Sequence, residues 1–494
     1  MASEQEIHQV VGKVMEKVRQ RYTVGTGGKI FSSAPGRATS PSMDFRPRKA
    51  VGGDSTFDDP DAAAKAARQA QRELMALGLE KRFEIVAAMR AAALENARRL
   101  GELAVSETKF GKMPDKMQKV ELAARKTPGP EIIHPVTFTG DHGLTLVEKA
   151  PYGVMVSITP TTNPPSTVVN NSIGMVSAGN AVIINPHPNA KEVSCEAARI
   201  LQLAIESAGG PKHLVCAIGN PSQESGTKLM NHPGVDATLV TGGREIVRVA
   251  MSSGKKVFAA GPGNPPVVVD ETCVLPKAAK DTVFGAQFDN CALCTGEKEI
   301  FCVASICDDF KAEMGKNGSV EIKGRDAERL TKLIIVEDSG SGERHPRVNK
   351  ELIAKDAVKI LAQAGIRAPA GITHAFLEVD WDHPLVMAEQ LMPITPIVRC
   401  KDYDQAKEWA ILAEHRFRHT FTMHSTNIAR LSDMARASNA NIFVKNGPSL
   451  AGLGFGGEGY TTLSIAGWTG EGFTTAATFT RERRCTLVDY FRIV

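Results

Sequence analysis

The sequence has no apolar run near the ~18 residues that a bilayer-crossing helix needs, so no span is expected. It also lacks a large charge surplus. A formal net charge of +4 on 494 residues gives no reason to expect nucleic acid or an anionic membrane as the main partner. Nine scattered cysteines do not make a disulfide framework, and a reducing compartment, the cytoplasm, is the simplest expectation. The opening MASEQEIHQVVGKVMEKVRQRY is charged throughout and holds no continuous apolar stretch, so a secretory signal is not expected. Repeats of solenoid length are missing as well.

What is present reads as a globular chain, 42% apolar and 23% charged, and long enough for two or three domains. Ile7, Val10, Val11, Val14 and Val18 recur at helical spacing, so residues 1–22 are expected to form a short amphipathic helix. The Gly-, Ser- and Pro-rich stretch that follows, 23–55, reads as a flexible tether. A helix with no core of its own points to a partner for its apolar stripe, the alternative being that it folds back onto the main body. Folded sequence resumes near 56, where Asp59-Pro60 opens a long Ala-rich helix and Gly78 separates it from a second. From about 153, short β-rich runs (GVMVSITP, NAVIINP, HLVCAIG, ATLVTG, KKVFAAG) alternate with helix-like stretches. That alternation predicts an α/β fold with a parallel sheet covered on both faces, and PPVVVDE opens a second region running to about 445.

In such sheets ligands lie beyond the carboxyl ends of the strands. Thr241, Gly242 and Gly243 stand between a strand and a helix start, where backbone N–H groups and the helix dipole suit a pyrophosphate. The same junction is also ordinary turn chemistry. ITPTTNPPSTVV (158–169) holds Asn163 among prolines, so its carboxamide is either a rigid oxyanion donor or a group satisfying its own turn. FDNCALCTGEKEIF (288–301) carries Cys291 and Cys294 in a C-x-x-C. A zinc site needs two further ligands, and no second C-x-x-C or paired histidine stands near it in sequence. Cys302 and Cys307 fall in expected strand and helix as core thiols. One nucleophilic thiolate remains, and the local sequence does not choose between Cys291 and Cys294.

Beyond these local readings, APYGVMVSITPTTNPPSTVVNNSI, NAVIINPHPNAK, SSGKKVFAAGPGNPP, FDNCALCTGEKEIF, AEQLMPITPIVR, AEHRFRHTFTMHS and RRCTLVDYFRIV together resemble the aldehyde dehydrogenase superfamily. The resemblance is to its CoA-acylating branch, especially the propionaldehyde and acetaldehyde enzymes of bacterial microcompartments. It implies a Rossmann-type parallel-sheet cofactor domain (56–138 and 151–259), a second α/β catalytic domain (260–447) and a β-strand oligomerisation arm (139–150 and 475–494). By position in the matched motifs, Cys294 is the nucleophile, Cys291 a variable neighbour and Asn163 the oxyanion amide. Thr161, Pro186, His187, Pro188, Thr241, Gly242, Gly243, Gly261 and Glu389 are expected to border NAD, with Glu389 near the nicotinamide ribose and His187 near the adenosine. His415 and His419 are expected to play structural or supporting parts. No metal is implied. Hydrolytic members carry a Glu-Leu-Gly-Gly motif whose glutamate activates water, whereas AAGPGNPP (259–266) has no carboxylate. The expected reaction is therefore aldehyde + NAD+ + CoA to acyl-CoA, propionaldehyde before acetaldehyde. A hydrolytic enzyme making free acid is the alternative, and a non-catalytic NAD-binding scaffold a third reading. The resemblance further implies a homodimer or homotetramer, and residues 1–22 as a segment addressing the enzyme to a microcompartment shell or to co-packaged enzymes.

Overall fold

The computed structural model describes residues 55–337 and 346–494. The expected helix over 1–22 and nearly all of the 23–55 tether lie outside the described residues. The Asp59 carboxylate accepts the N–H groups of Asp61 and Ala62 at 3.2 and 3.1 Å, and Pro60 opens the helix Pro60–Ala76. Ala63, Ala64, Ala67 and Ala70 form its inner stripe, all at most 1% exposed. Gly78 then starts Leu79–Glu95. Two further helices, Ala97–Thr108 and Asp115–Lys126, complete this helical layer.

The alternating region builds a six-stranded sheet in the order Thr56–Phe57, Val215–Ile218, Ala181–Pro186, Val154–Thr159, Ala237–Thr241, Lys256–Ala260. Every neighbouring pair is parallel. Helices cover its faces, so Val154–Thr159 and Ala181–Pro186 are buried at every position, which is why they read as continuous apolar runs rather than alternating ones. Because the strands are parallel, Thr159, Pro186, Thr241 and Ala260 all end on one edge. That edge carries the turns of interest.

A second, seven-stranded sheet runs in the order Ser319–Glu321, His374–Val379, Ile394–Cys400, Glu299–Val303, Pro266–Val269, Thr420–His424, Ile442–Lys445. It too is wholly parallel. Cys302 lies in its central strand and Cys307 in the next helix, Ala304–Lys316, both buried in the core.

Outside both sheets, Val136–Gly140, Gly143–Pro151 and Thr480–Val488 form a three-stranded antiparallel arm. Its first strand begins at Val136, a few residues before the expected 139. Arg481, Arg483 and Arg484 are exposed on it, with Val136, Phe138, Leu487, Val488, Tyr490 and Phe491. Residues 448–474, outside the expected domain spans, touch both sheets: Leu453 and Ile465 pack with Ile442 and Val444 of the second, while Leu463 and Ala466 join the core of the first, as does Phe479 further on. Among the described residues no helix is long and apolar enough to cross a membrane.

Candidate active site

Asn163 follows the strand Val154–Thr159 and opens the helix Pro164–Ser177, with prolines in its first turn. Its main chain does the capping work: its carbonyl accepts from Thr167 N–H at 2.9 Å. The side chain makes no cap bond and is left for other contacts. Lys119 Nζ donates to Asn163 Oδ1 at 2.5 Å, and Asn163 Nδ2 donates to Thr162 Oγ1 at 3.2 Å. An ammonium only donates, so the carboxamide oxygen must face Lys119, which leaves the second N–H of Nδ2 to point elsewhere.

The stretch 288–296 reaches this turn from the other sheet. Asp289, Asn290 and Cys291 have φ of 50°, 54° and 59°, three consecutive left-handed residues. Asp and Asn enter this region more readily than other L-residues, but Cys291 costs about 1–2 kcal/mol there, so the loop needs anchors. Asn290 Nδ2 donates to Ala354 O at 3.1 Å and Asp356 Oδ1 at 2.9 Å. Lys298, fully buried, donates to the carbonyls of Leu293 (2.9 Å) and Gly296 (2.7 Å) and to Cys291 Sγ (3.3 Å). Glu297 fixes the far side through Ser449 N–H (2.7 Å) and Oγ (2.8 Å).

The two cysteines thereby separate. Cys291 is fully buried beside Lys298, and burial pushes its thiol up against the pull of that ammonium. Cys294 keeps partial solvent access. Close-packed walls nonetheless desolvate its sulfur and push it up to about 12, with the Glu389 charge adding and Lys298 and Lys119 opposing. A thiolate is the nucleophilic form, so both lysines act in the direction that chemistry needs.

The loop after Lys256–Ala260 faces Cys294. A Cβ on Gly263 would stand 2.9 Å from the Cys294 carbonyl oxygen and 2.9 Å from the His419 ring, so no side chain fits there. Gly261 lies against Trp468 in the same way. Gly263 N–H approaches Glu389 Oε1 at 3.4 Å. Glu389 is thus brought beside this loop, and burial pushes its carboxyl up to about 7, with Lys298 opposing. Burial holds His419 down to about 3, a neutral ring whose Nδ1 pairs with Thr420 Oγ1 at 2.9 Å. His415 Nε2 contacts Met387 O at 3.0 Å. Glu299 is fully buried with neither carboxyl oxygen hydrogen-bonded, and burial raises it well above the ordinary carboxyl range.

On the strand-end edge, Gly242 N–H donates to Ala260 O at 3.1 Å, and Thr241 Oγ1 meets Ser464 Oγ at 2.7 Å. Gly243 opens Arg244–Met251 with no side-chain cap and open space where a Cβ would be. Pro186 pairs with Thr159 at the end of the neighbouring strand. His187 and Pro188 are exposed just beyond it, His187 Nδ1 accepting from Asn189 N–H at 3.1 Å. Thr161 is half-buried in the turn before Asn163. Among the described residues no three His, Cys, Asp or Glu side chains gather as a metal ion would need.

Sequence reasoning missed Lys116 and Lys119. Both lie on the inner stripe of Asp115–Lys126 with Val120, Ala123 and Ala124, all buried. Two lysines sharing a helical face with three apolar residues were the available signal.

The aldehyde dehydrogenase family model matches residues 50–475. The chain belongs to this family. An acetylating acetaldehyde dehydrogenase of Salmonella typhimurium is 43% identical over 441 residues, 89% of this chain and 93% of that protein. A solved propionaldehyde dehydrogenase of Rhodopseudomonas palustris, with bound CoA and an acylated cysteine, superposes with a TM-score of 0.85 at 43% identity, covering 89% of this chain and 99% of that one. A propionaldehyde dehydrogenase from the fucose-utilisation bacterial microcompartment of Clostridium phytofermentans gives 0.85 at 40% identity, covering 89% and 100%. In this aldehyde dehydrogenase fold, the six-stranded sheet corresponds to the expected Rossmann-type part and the seven-stranded sheet to the second α/β part.

Proposed function

We propose that this chain is a CoA-acylating aldehyde dehydrogenase converting a short-chain aldehyde to its acyl-CoA, with propionaldehyde the first choice and acetaldehyde the second. The observation that carries the reading is the loop 261–265. It presents Gly-Pro-Gly-Asn-Pro to Cys294, with no carboxylate and no room for a side chain at Gly263. The loop itself therefore supplies no base to activate water for an acyl group on Cys294, and the nearby Glu389 carboxylate is turned toward Gly263 N–H at 3.4 Å. A thiol needs less help, because its thiolate is accessible near neutral pH and strongly nucleophilic.

The uncapped start of Arg244–Met251, with open space at Gly243, fits a dinucleotide pyrophosphate. Thr161, Pro186, His187, Pro188, Thr241, Gly242, Gly261 and Glu389 would border the rest of NAD. When bound, NAD+ supplies the hydride acceptor. Cys294 attacks the aldehyde carbonyl as the thiolate, and the free N–H of Asn163 donates to the oxygen that gains charge. As the C–H bond breaks and its hydride leaves for that acceptor, the carbonyl re-forms and the acyl group rests on Cys294 as a thioester. The CoA thiolate attacks its carbonyl carbon, the bond to Sγ breaks, and Cys294 leaves as the thiolate. The acylated cysteine and bound CoA of the Rhodopseudomonas enzyme support this covalent route.

Packaging within a bacterial microcompartment of a cytoplasm is supported by the microcompartment relative and by the amphipathic pattern of residues 1–22. The arm, with its exposed apolar side chains and two edges that no strand among the described residues pairs, supports a homodimer or homotetramer.

The test is NADH formation from propionaldehyde and NAD+ with and without CoA. Turnover dependent on CoA, with propionyl-CoA as product, is expected; turnover to propionate without CoA refutes the reading. Cys294→Ala should abolish acyl transfer while Cys291→Ala retains most of it, and the reverse outcome would overturn the nucleophile assignment.

A further inference from the structure

Behind Asn163 and Cys294 sits a group of three ionisable side chains removed from water, burial pulling Lys119 down to about 7 while the Asp289 carboxylate favours its ammonium form. Lys116 and Lys119 are 1% and 3% exposed, and both reach the same oxygen of Asp289, which is 0% exposed. Lys116 stands 2.9 Å from Asp289 Oδ2, with Lys119 in close contact with the same atom. Asp289 Oδ1 accepts Lys112 N–H at 2.9 Å, and Asp289 N–H donates to Asp115 Oδ2 at 2.7 Å. Two cations against one buried carboxylate are an expensive way to join two packing surfaces, since an apolar trio of similar volume commonly stabilises at least as well. The arrangement calls for a reason other than stability.

The remaining donors supply it. Lys116 Nζ donates to Thr162 O at 2.5 Å. Lys119 Nζ donates to Asn163 Oδ1 at 2.5 Å and to Ala292 O at 3.2 Å. One ammonium therefore touches the carboxamide on one side and the main chain two residues before Cys294 on the other. It also settles which way the carboxamide faces, because only the oxygen of Asn163 can lie against an ammonium. Were Lys119 apolar, the carboxamide could flip and present its oxygen where the N–H is wanted. The Asp289 carboxylate holds the ammonium in place from the opposite side.

We propose that Lys119, held by Asp289, is a positioning residue that orients the Asn163 carboxamide with its N–H toward the acyl oxygen at Cys294 and keeps the Cys294 loop in the same frame. This rests on the reading of Asn163 as the oxyanion donor. Lys119 touches no reacting atom; beyond the weak field it adds at Cys294, it acts through its contacts with Asn163 and Ala292.

A double-mutant cycle tests it in the full-length enzyme, with kcat and KM measured for CoA-dependent NADH formation and thermal unfolding as the control on folding. Asn163→Ala is expected to lose about 10²-fold in kcat, and Lys119→Met a comparable factor with KM for aldehyde little changed. Adding Lys119→Met to Asn163→Ala should then cost no more than about twofold further, because the residue it positions is gone. Losses that multiply in the double variant would overturn the proposal and leave Lys119 a structural tie. If Lys119→Met does not fold, Lys119→Gln enters the same cycle with the same expectations. An Asn163→Ala enzyme with wild-type kcat would instead overturn the oxyanion role itself, a separate failure from additivity. Lys119→Arg, which keeps charge and donors, should recover part of the kcat lost in Lys119→Met; no recovery in a folded variant counts against the proposal.

Discussion

Asn163→Asp exchanges both N–H donors of the carboxamide for acceptor lone pairs at nearly the same volume. The Lys119 ammonium, 2.5 Å from Oδ1, accepts a carboxylate at least as readily as a carboxamide oxygen. The main chain still opens the helix through Thr167 N–H at 2.9 Å. Folding should survive. Both N–H groups of Nδ2 disappear: the one on Thr162 Oγ1, whose hydroxyl can turn to donate to the new carboxylate, and the one left for the acyl oxygen. Loss of one oxyanion donor costs about 10²–10³ in kcat, or ~2.7–4 kcal/mol. The new carboxylate also repels the negative charge developing on the acyl oxygen, so aspartate should be slower than alanine. Stability should run the other way. Asn163→Ala leaves buried Lys119 short of one acceptor, which costs about 1–3 kcal/mol. Initial rates of NADH formation at saturating CoA, read beside thermal unfolding midpoints, give both orders. The expected activity order is wild type, then Ala, then Asp; the expected stability order is wild type near Asp, then Ala. A folded Asn163→Asp enzyme running above about a tenth of the wild-type rate would refute the assignment of Asn163 as an oxyanion donor.

Two more predictions follow from buried geometry. Glu299, with both oxygens unpartnered and its carboxyl held well above the ordinary 4.5, keeps its proton in the fold while the unfolded chain loses it. Its contribution is full below the unfolded pKa and is lost as pH rises toward the folded one, at about 1.4 kcal/mol per pH unit in that window. Glu299→Gln should flatten the pH dependence of denaturant-derived unfolding free energy as pH rises above the ordinary carboxyl range, and an unchanged slope would contradict the buried neutral acid. Gly111 has φ of +72°, and a Cβ there would lie 1.9 Å from Asp289 Oδ1. Gly111→Ala should therefore cost about 2–4 kcal/mol in unfolding free energy and depress kcat by disturbing the carboxylate that holds Lys119; near-wild-type values for both would show that the Asp289 side chain has room to move.

Much of the frame was legible before any coordinates. Strand runs such as VMVSIT and AVIINP read correctly because strands buried on both faces are apolar throughout. Asp59-Pro60 and Gly78 marked helix ends because capping is a matter of a few neighbouring atoms. Asn163 stood out among prolines, and the structure puts its side chain clear of capping duty. The choice between Cys291 and Cys294 was not legible locally. Both sit in the same short loop, and only the fold encloses Cys291 against Lys298 while leaving Cys294 partial access. Glu389 was uncertain in register, and Gly263 N–H now ties its carboxylate to the loop facing Cys294. Lys116 and Lys119 were passed over because lysine on a helix is ordinarily solvated.

By itself, then, the sequence determined the elements, their parallel pairing and a short list of residues with the right chemistry, because periodicity, caps and turns act over a few residues. Tertiary structure alone decided which of those residues meet and what charge each carries. Lys119 reaches Asn163 across 44 positions and Ala292 across 173. Desolvation at Cys294, Glu299 and Glu389 comes from walls supplied by several distant segments. Electrostatics in a dry pocket is set by the sum of its neighbours, and those neighbours exist only once the chain has folded.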